Sequence, residues 1–205
     1  MAHQGRLILH ASAVSLKAGE CFLFLGDSGY GKSTLAASLL AAGAIVLADD
    51  CVELSVHRGR VYARGAFPGL RLRDDSQRQA LPLQRELIHS MGSYNGKQVF
   101  RVAQMPDAGY RVTQAFALNS PLSPTSDLSY QRIDGMQAVM IMLRGLFRLD
   151  PAKDADRGPE FASVCALFAA GLEVTQLAYP RDFERLVDVQ RYLLATADSG
   201  VPPVR

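Results

Sequence analysis

The chain has 205 residues, 48% hydrophobic and 20% charged, which excludes wholesale disorder and suffices for a full core without a disulfide or metal staple. Its 22 basic and 20 acidic side chains leave a formal charge of +2. That balance argues against nucleic acid as a partner, and no run of Lys and Arg marks a membrane surface. Cys21, Cys51 and Cys165 stand at unrelated spacings in apolar contexts, so a reducing, cytoplasmic setting is expected. The amino-terminal segment shows no apolar leader, and the most apolar run, Leu35 to Ala48, is too short to span a bilayer.

In chain order, Leu7 to Leu16 reads as one strand, Lys17-Ala18-Gly19-Glu20 as a turn, and Cys21 to Leu25 as a second strand. Gly26 to Gly31 is a glycine-rich loop that opens a helix over Lys32 to Ala42, stopped by Gly43. A short apolar strand, Ala44 to Ala48, ends on Asp49 and Asp50. Val52 to Val56 and Arg60 to Ala63 flank a hairpin turn. The proline-punctuated middle, Arg64 to Pro124, offers short strands at Gln98 to Val102 and Arg111 to Leu118. The carboxyl third reads as helical through three stripes: Met136 to Phe147, Phe161 to Phe168, and Leu186 to Leu193 after Pro180 and Asp182. A single domain over 1–205 is expected, with a P-loop and sheet part (1–125), a helical part (126–197) and a frayed tail (198–205).

Gly26-Asp27-Ser28-Gly29-Tyr30-Gly31-Lys32-Ser33 fits G-x-x-x-x-G-K-[ST] in full, followed by Thr34. Glycines let backbone N–H groups close around phosphate oxygens, and the following helix presents amides to an anion. Lys32 is placed to reach the β and γ phosphates of ATP or GTP, and the Ser33 hydroxyl to meet Mg²⁺. An apolar strand before the loop and a helix after it supply the required context. Asp49-Asp50 closes the next strand, where adjacent side chains take opposite faces. One is then suited to Mg²⁺ and the other to an acceptor hydroxyl, the bland alternative being a turn or capping pair. His10 alone is as well explained by packing, and His3, His57 and His89 form no constellation.

Together, His10-Ala11-Ser12-Ala13-Val14, the Gly-Asp-Ser-Gly-Tyr-Gly-Lys-Ser loop and Leu47-Ala48-Asp49-Asp50-Cys51-Val52-Glu53 resemble the catalytic domain of HPr kinase/phosphorylase over residues 7 to about 56. Phe67-Pro68-Gly69-Leu70-Arg71-Leu72 and Tyr179-Pro180-Arg181-Asp182-Phe183 are similar to segments of the HPr kinase homologues encoded beside lasso-peptide biosynthesis genes. The resemblance implies an α/β fold of the phosphoenolpyruvate-carboxykinase type, a mixed β-sheet P-loop core with flanking helices. It also implies Asp49 as general base, His10 as the group that orients and polarises it, Asp50 with Ser33 as metal ligands, and Glu53 as a weaker metal-side candidate. Thr34 stands where the HPr-acting enzymes have Glu, and Phe-Pro-Gly-Leu-Arg-Leu-Arg replaces their phosphorolysis segment. A kinase alone is therefore expected.

The partner so implied is a peptide or small protein carrying the acceptor serine, the carboxyl-terminal serine of a lasso precursor first among them. Members acting on HPr form hexamers, which leaves a homo-oligomer open. Arg71, Arg73, Lys97 and Arg101 are candidates for an extra cation at the transferring group, and Arg144, Arg148 and Arg181 for meeting an acidic peptide. Other readings of the same loop are a kinase of HPr or another carrier protein, a small-molecule kinase, a transporter-type ATPase, and a nucleotide-binding regulatory module without turnover.

Overall fold

The computed structural model describes residues 6–17, 19–66, 69–80, 88–102, 108–147 and 158–199. Phe67, Pro68, Pro82, Pro106, Arg148, His3 and the tail beyond Ser199 lie outside them.

The expected first strand is two: β1 (Arg6–Leu9) and β2 (Ala11–Lys17) are separated at His10. The reason lies in their partners. β1 pairs antiparallel with β5 (Val52–His57), whereas β2 pairs antiparallel with β3 (Glu20–Leu25) and β4 (Ile45–Ala48). A straight strand cannot serve both, so the chain bends at His10. β5 forms the expected hairpin with β6 (Arg60–Gly65), around Arg58 and Gly59 at positive φ. Gly65 is required there, because a Cβ would stand 2.1 Å from the Leu47 carbonyl oxygen.

β10 (Tyr110–Leu118) is the hub of the large sheet. It runs parallel to β3 on one side; on the other its start pairs with β6 and its end runs parallel to β12 (Val174–Ala178). β11 (Ser129–Ile133) adds antiparallel to β12. The carboxyl third is thus not purely helical. Its three helices, α3 (Gly135–Arg144), α4 (Gly158–Ala169) and α5 (Leu186–Ser199), share it with two strands built into the sheet. Asp182 caps the single 3₁₀ turn before α5 by accepting from the Glu184 N–H, so the expected start at Pro180 and Asp182 falls just ahead of it.

Strand alternation divides the core into two layers. Leu23 and Leu25 of β3 with Ala115 and Ala117 of β10 face α3 and α4, while Phe22, Phe24 and Phe116 face the other helices. That second layer holds α1 (Lys32–Ala41) and α5. α1 stops as expected at Gly43 (φ +91): the Gly43 and Ala44 N–H groups donate to the carbonyls of Leu40 and Leu39.

A second, three-stranded sheet forms in the proline-rich middle: β7 (Gly69–Leu72), β9 (Lys97–Val102) and β8 (Ile88–Tyr94), in that spatial order. Only β9 was expected. Asn95 and Gly96, both at positive φ, make the two-residue turn that joins β8 to β9. A short helix, α2 (Asp74–Ala80), follows β7, and Leu70, Leu72, Phe100 and Val102 pack into the α1 layer. Among the described residues no helix is long and apolar enough to cross a membrane.

Candidate active site

The glycine-rich loop leaves β3 at the carboxyl ends of the parallel strands β3 and β10. Its turn needs backbone states that side chains oppose. Gly26, Gly29 and Gly31 have φ of 144°, 88° and 82°, and Gly31 is the residue from which α1 starts. A Cβ on Gly26 would meet the Tyr30 ring at 2.9 Å, and one on Gly31 the Arg181 guanidinium at 2.6 Å. The Lys32 ammonium is folded back over the loop, donating to the carbonyls of Gly26 (2.7 Å) and Asp27 (3.1 Å). Burial lowers its pKa, and the nearby charges of Asp50 and Asp49 pull the other way.

The two aspartates end β4 but do not behave alike. Asp49 is 1% exposed. One of its oxygens accepts from Ser12 Oγ (2.6 Å) and the other from the Arg71 backbone N–H (2.9 Å), and the nearby Ser33 hydroxyl favours its charged form. Burial, then the neighbouring Asp50 charge, holds its pKa above the carboxylate range. Asp50 has φ +68, which swings its side chain out of the strand's alternation. Its Oδ1 lies 3.2 Å from His10 Nε2 and its Oδ2 3.4 Å from Arg71 Nη1. Burial opposes its charge, but the His10 hydrogen bond and the cations Lys97 and Arg71 outweigh it and hold its pKa below the usual value.

This geometry reverses the neighbours that the resemblance implied. His10 meets Asp50, not Asp49, and Asp49 is the carboxylate beside Ser33. The φ at Asp50 is the local cause, and the bend at His10 is the distant one.

Asp50 and His10 line a cavity of about 310 Å³ together with Ser28, Gly29, Gly31, Lys32, Ser33 and Thr34 of the loop and helix. Arg71, Arg73 and Lys97 also face it, whereas Arg101 is not in its lining. Arg71 comes from β7 and Lys97 from the start of β9, so the small sheet is the wall that delivers positive charge. The Thr34 hydroxyl lies 2.9 Å from Ser76 Oγ, tying α1 to α2. Gly26, Asp27 and Tyr30, expected with the others, line a second cavity of about 200 Å³, which His10 also borders. Glu53 lies away from both, on β5, lining a different cavity with His57 and Tyr62.

Arg181 is a site residue whose place the sequence did not reveal. Its guanidinium stands over the Tyr179 ring at 4.7 Å and donates to the carbonyls of Tyr30 and Asn119, to Asn119 Oδ1 (3.1 Å) and to the Tyr179 hydroxyl (3.1 Å). It clamps the glycine-rich loop to the end of β10 and lines the first cavity. The signal was present in Tyr179-Pro180-Arg181, but its target is 151 residues away.

The donors fit Mg²⁺ carried by a nucleotide. The Ser33 hydroxyl and the Asp50 carboxylate are hard oxygen ligands that both line the cavity, and Asp49 lies buried behind them with each oxygen hydrogen-bonded. Among the described residues no group of three or more His, Cys, Asp or Glu could hold a metal by itself, and Mg²⁺ bound through phosphates and water needs only one or two carboxylates.

No family model matches this chain, and no curated protein matches it. Among solved structures it is similar to the Hpr(Ser) kinase/phosphatase from Coxiella burnetii, with a TM-score of 0.46 and 12% identity over 94% of this chain and 97% of that one. A likeness this loose carries no conclusion about activity or substrate.

Proposed function

We propose that the protein is a nucleoside-triphosphate-dependent kinase that transfers the γ-phosphoryl group to a serine hydroxyl of a peptide or small protein. The observation that carries this reading is the Asp50–His10 pair, held at 3.2 Å on the wall of the cavity that Lys32 and Ser33 line. A module that only binds nucleotide needs the loop but not an oriented carboxylate beside it.

In the proposed reaction, the loop amides and Lys32 hold the β and γ phosphates. Ser33 would hold Mg²⁺, with Asp49 close behind it, and the ion when bound neutralises phosphate charge. The serine oxygen forms a bond to the γ phosphorus as the bond from that phosphorus to the bridging oxygen breaks, and the nucleoside diphosphate leaves with the bond's electron pair. Asp50 takes the hydroxyl proton late in the transfer. His10 hydrogen-bonds the other face of Asp50 and keeps it ionised and aimed. Arg71 and Lys97 add positive charge where the terminal phosphate develops negative charge. That Asp50 lines the cavity while Asp49 lies behind it supports Asp50 as the base.

The sequence resemblance supports the carboxyl-terminal serine of a lasso precursor as the first acceptor to try. Mass spectrometry of such a peptide, and separately of HPr, after incubation with Mg-ATP tests the reading. One added phosphate on a serine of either supports transfer. Nucleotide bound with no phosphate on any serine would favour the regulatory module.

A further inference from the structure

We propose that the second cavity is an acceptor-side subsite in which Arg144 binds a carboxylate carried close to the acceptor hydroxyl, an inference that rests on the phosphoryl-transfer reading above. The two cavities lie on either side of the glycine-rich loop, and His10 borders both. The first collects the cations suited to a polyphosphate. The second is lined by Gln137, Ile141 and Arg144, three positions on one face of α3, with Gln176 of β12 across from them. It therefore offers one guanidinium and two carboxamides, a donor set for a single carboxylate. Asp27 shares the lining, so the cavity's charge is nearly balanced and a polyphosphate is disfavoured there. Among the described residues Arg144 makes no ion pair.

The backbone joins the end of this helix to the bend that carries His10. The His10 N–H donates to the Gly145 carbonyl (2.7 Å) and the Phe147 N–H to the Ile8 carbonyl (2.9 Å). The end of α3 is thus stitched to the bend that presents His10 to Asp50. Arg144 is the residue before Gly145 and lines the second cavity with His10, so a peptide whose hydroxyl sits at Asp50 must carry its carboxylate near that hydroxyl to reach the guanidinium. A chain-terminal carboxylate and an adjacent acidic side chain both meet that requirement.

The test is calorimetric titration of an N-acetylated pentapeptide ending in serine into protein saturated with Mg²⁺ and a non-hydrolysable ATP analogue. Three forms are compared: the free acid, the carboxyl-terminal amide, and the amide extended by one aspartate. The free acid is expected to bind roughly tenfold tighter than the amide. Arg144→Ala should abolish that preference, and Arg144→Lys should keep part of it, which separates lost charge from a folding defect. A gain for the aspartate form assigns the subsite to acidic side chains as well; no gain restricts it to the chain terminus. Equal affinity for all three, undetectable binding included, overturns the proposal, as does a preference that survives Arg144→Ala. Because the analogue is not turned over, the outcomes separate. A carboxylate preference lost in Arg144→Ala, with no transfer from ATP in parallel, keeps a carboxylate site at Arg144 but sinks the kinase reading and the acceptor-side role with it. Transfer without that preference sinks the subsite alone.

Discussion

The two sides of the glycine-rich loop are built differently. On one side, groups from β4, β7, β9 and α1 converge, and Asp49, Asp50 and Lys32 are each fixed by named hydrogen bonds. On the other, α3 and β12 present uncharged amides and one arginine around a smaller space. A charge that must act at one point has to be aimed before the substrate arrives, because reorganising it during reaction raises the barrier. A surface that only selects a partner can leave its polar groups to be ordered by that partner. On the proposed reading, chemistry belongs to the first side and recognition to the second.

Substitutions can break that division. Asp50→Asn should cut kcat by on the order of 10²–10⁴ while leaving nucleotide affinity near wild type, since a general base acts on the acceptor. A phosphotransfer assay beside nucleotide titration checks it, and retained transfer would remove Asp50 from the role. Lys32→Ala should lower kcat/KM by roughly 10²–10³, with weaker nucleotide binding as well. Asp49→Asn should differ from Asp50→Asn by raising the Mg²⁺ concentration needed for nucleotide binding; identical phenotypes would erase the distinction between the two aspartates. Arg181→Ala should weaken nucleotide binding by roughly tenfold with little change in the acid limb of the pH profile, because the clamp shapes the loop and does not touch Asp50.

The smallest effect expected is a shift in pH dependence. Transfer needs Asp50 ionised, and its pKa is depressed, so activity should persist below the ordinary carboxylate range and fall as pH drops through the folded-state value. The His10 hydrogen bond is among the causes of that depression. His10→Ala should therefore move the acid limb of kcat upward, and an unmoved limb would leave His10 a packing residue. Asp49 carries the opposite sign: its raised pKa favours the protonated form, a stabilisation lost as pH rises through its folded-state value.

What was readable in the sequence was local. The glycine-rich loop, α1 with its Gly43 stop, and the β5–β6 hairpin are specified by neighbours within a few residues. The bend at His10 was hidden because Leu7 to Leu16 is uninterrupted β-prone sequence, and only its partners β5, β3 and β4 divide it. β7 and β8 were missed for a different reason. Gly69–Leu72 is four residues long, and β8 carries Ser90, Gly92 and Ser93 with Met91 exposed, so neither has a clear alternation. β12 is five residues between two strong helical stripes, and those stripes dominated the reading. Which aspartate meets His10 depends on a single positive φ at Asp50 and a contact 40 residues apart, and sequence spacing encodes neither.

The central claim is tested most directly by incubating wild type and Asp50→Asn with γ-labelled Mg-ATP and an array of serine peptides at matched nucleotide occupancy. The account predicts label recovered as phosphoserine with wild type and its loss in Asp50→Asn. Full nucleotide occupancy with no labelled serine, or equal labelling by both proteins, would contradict it.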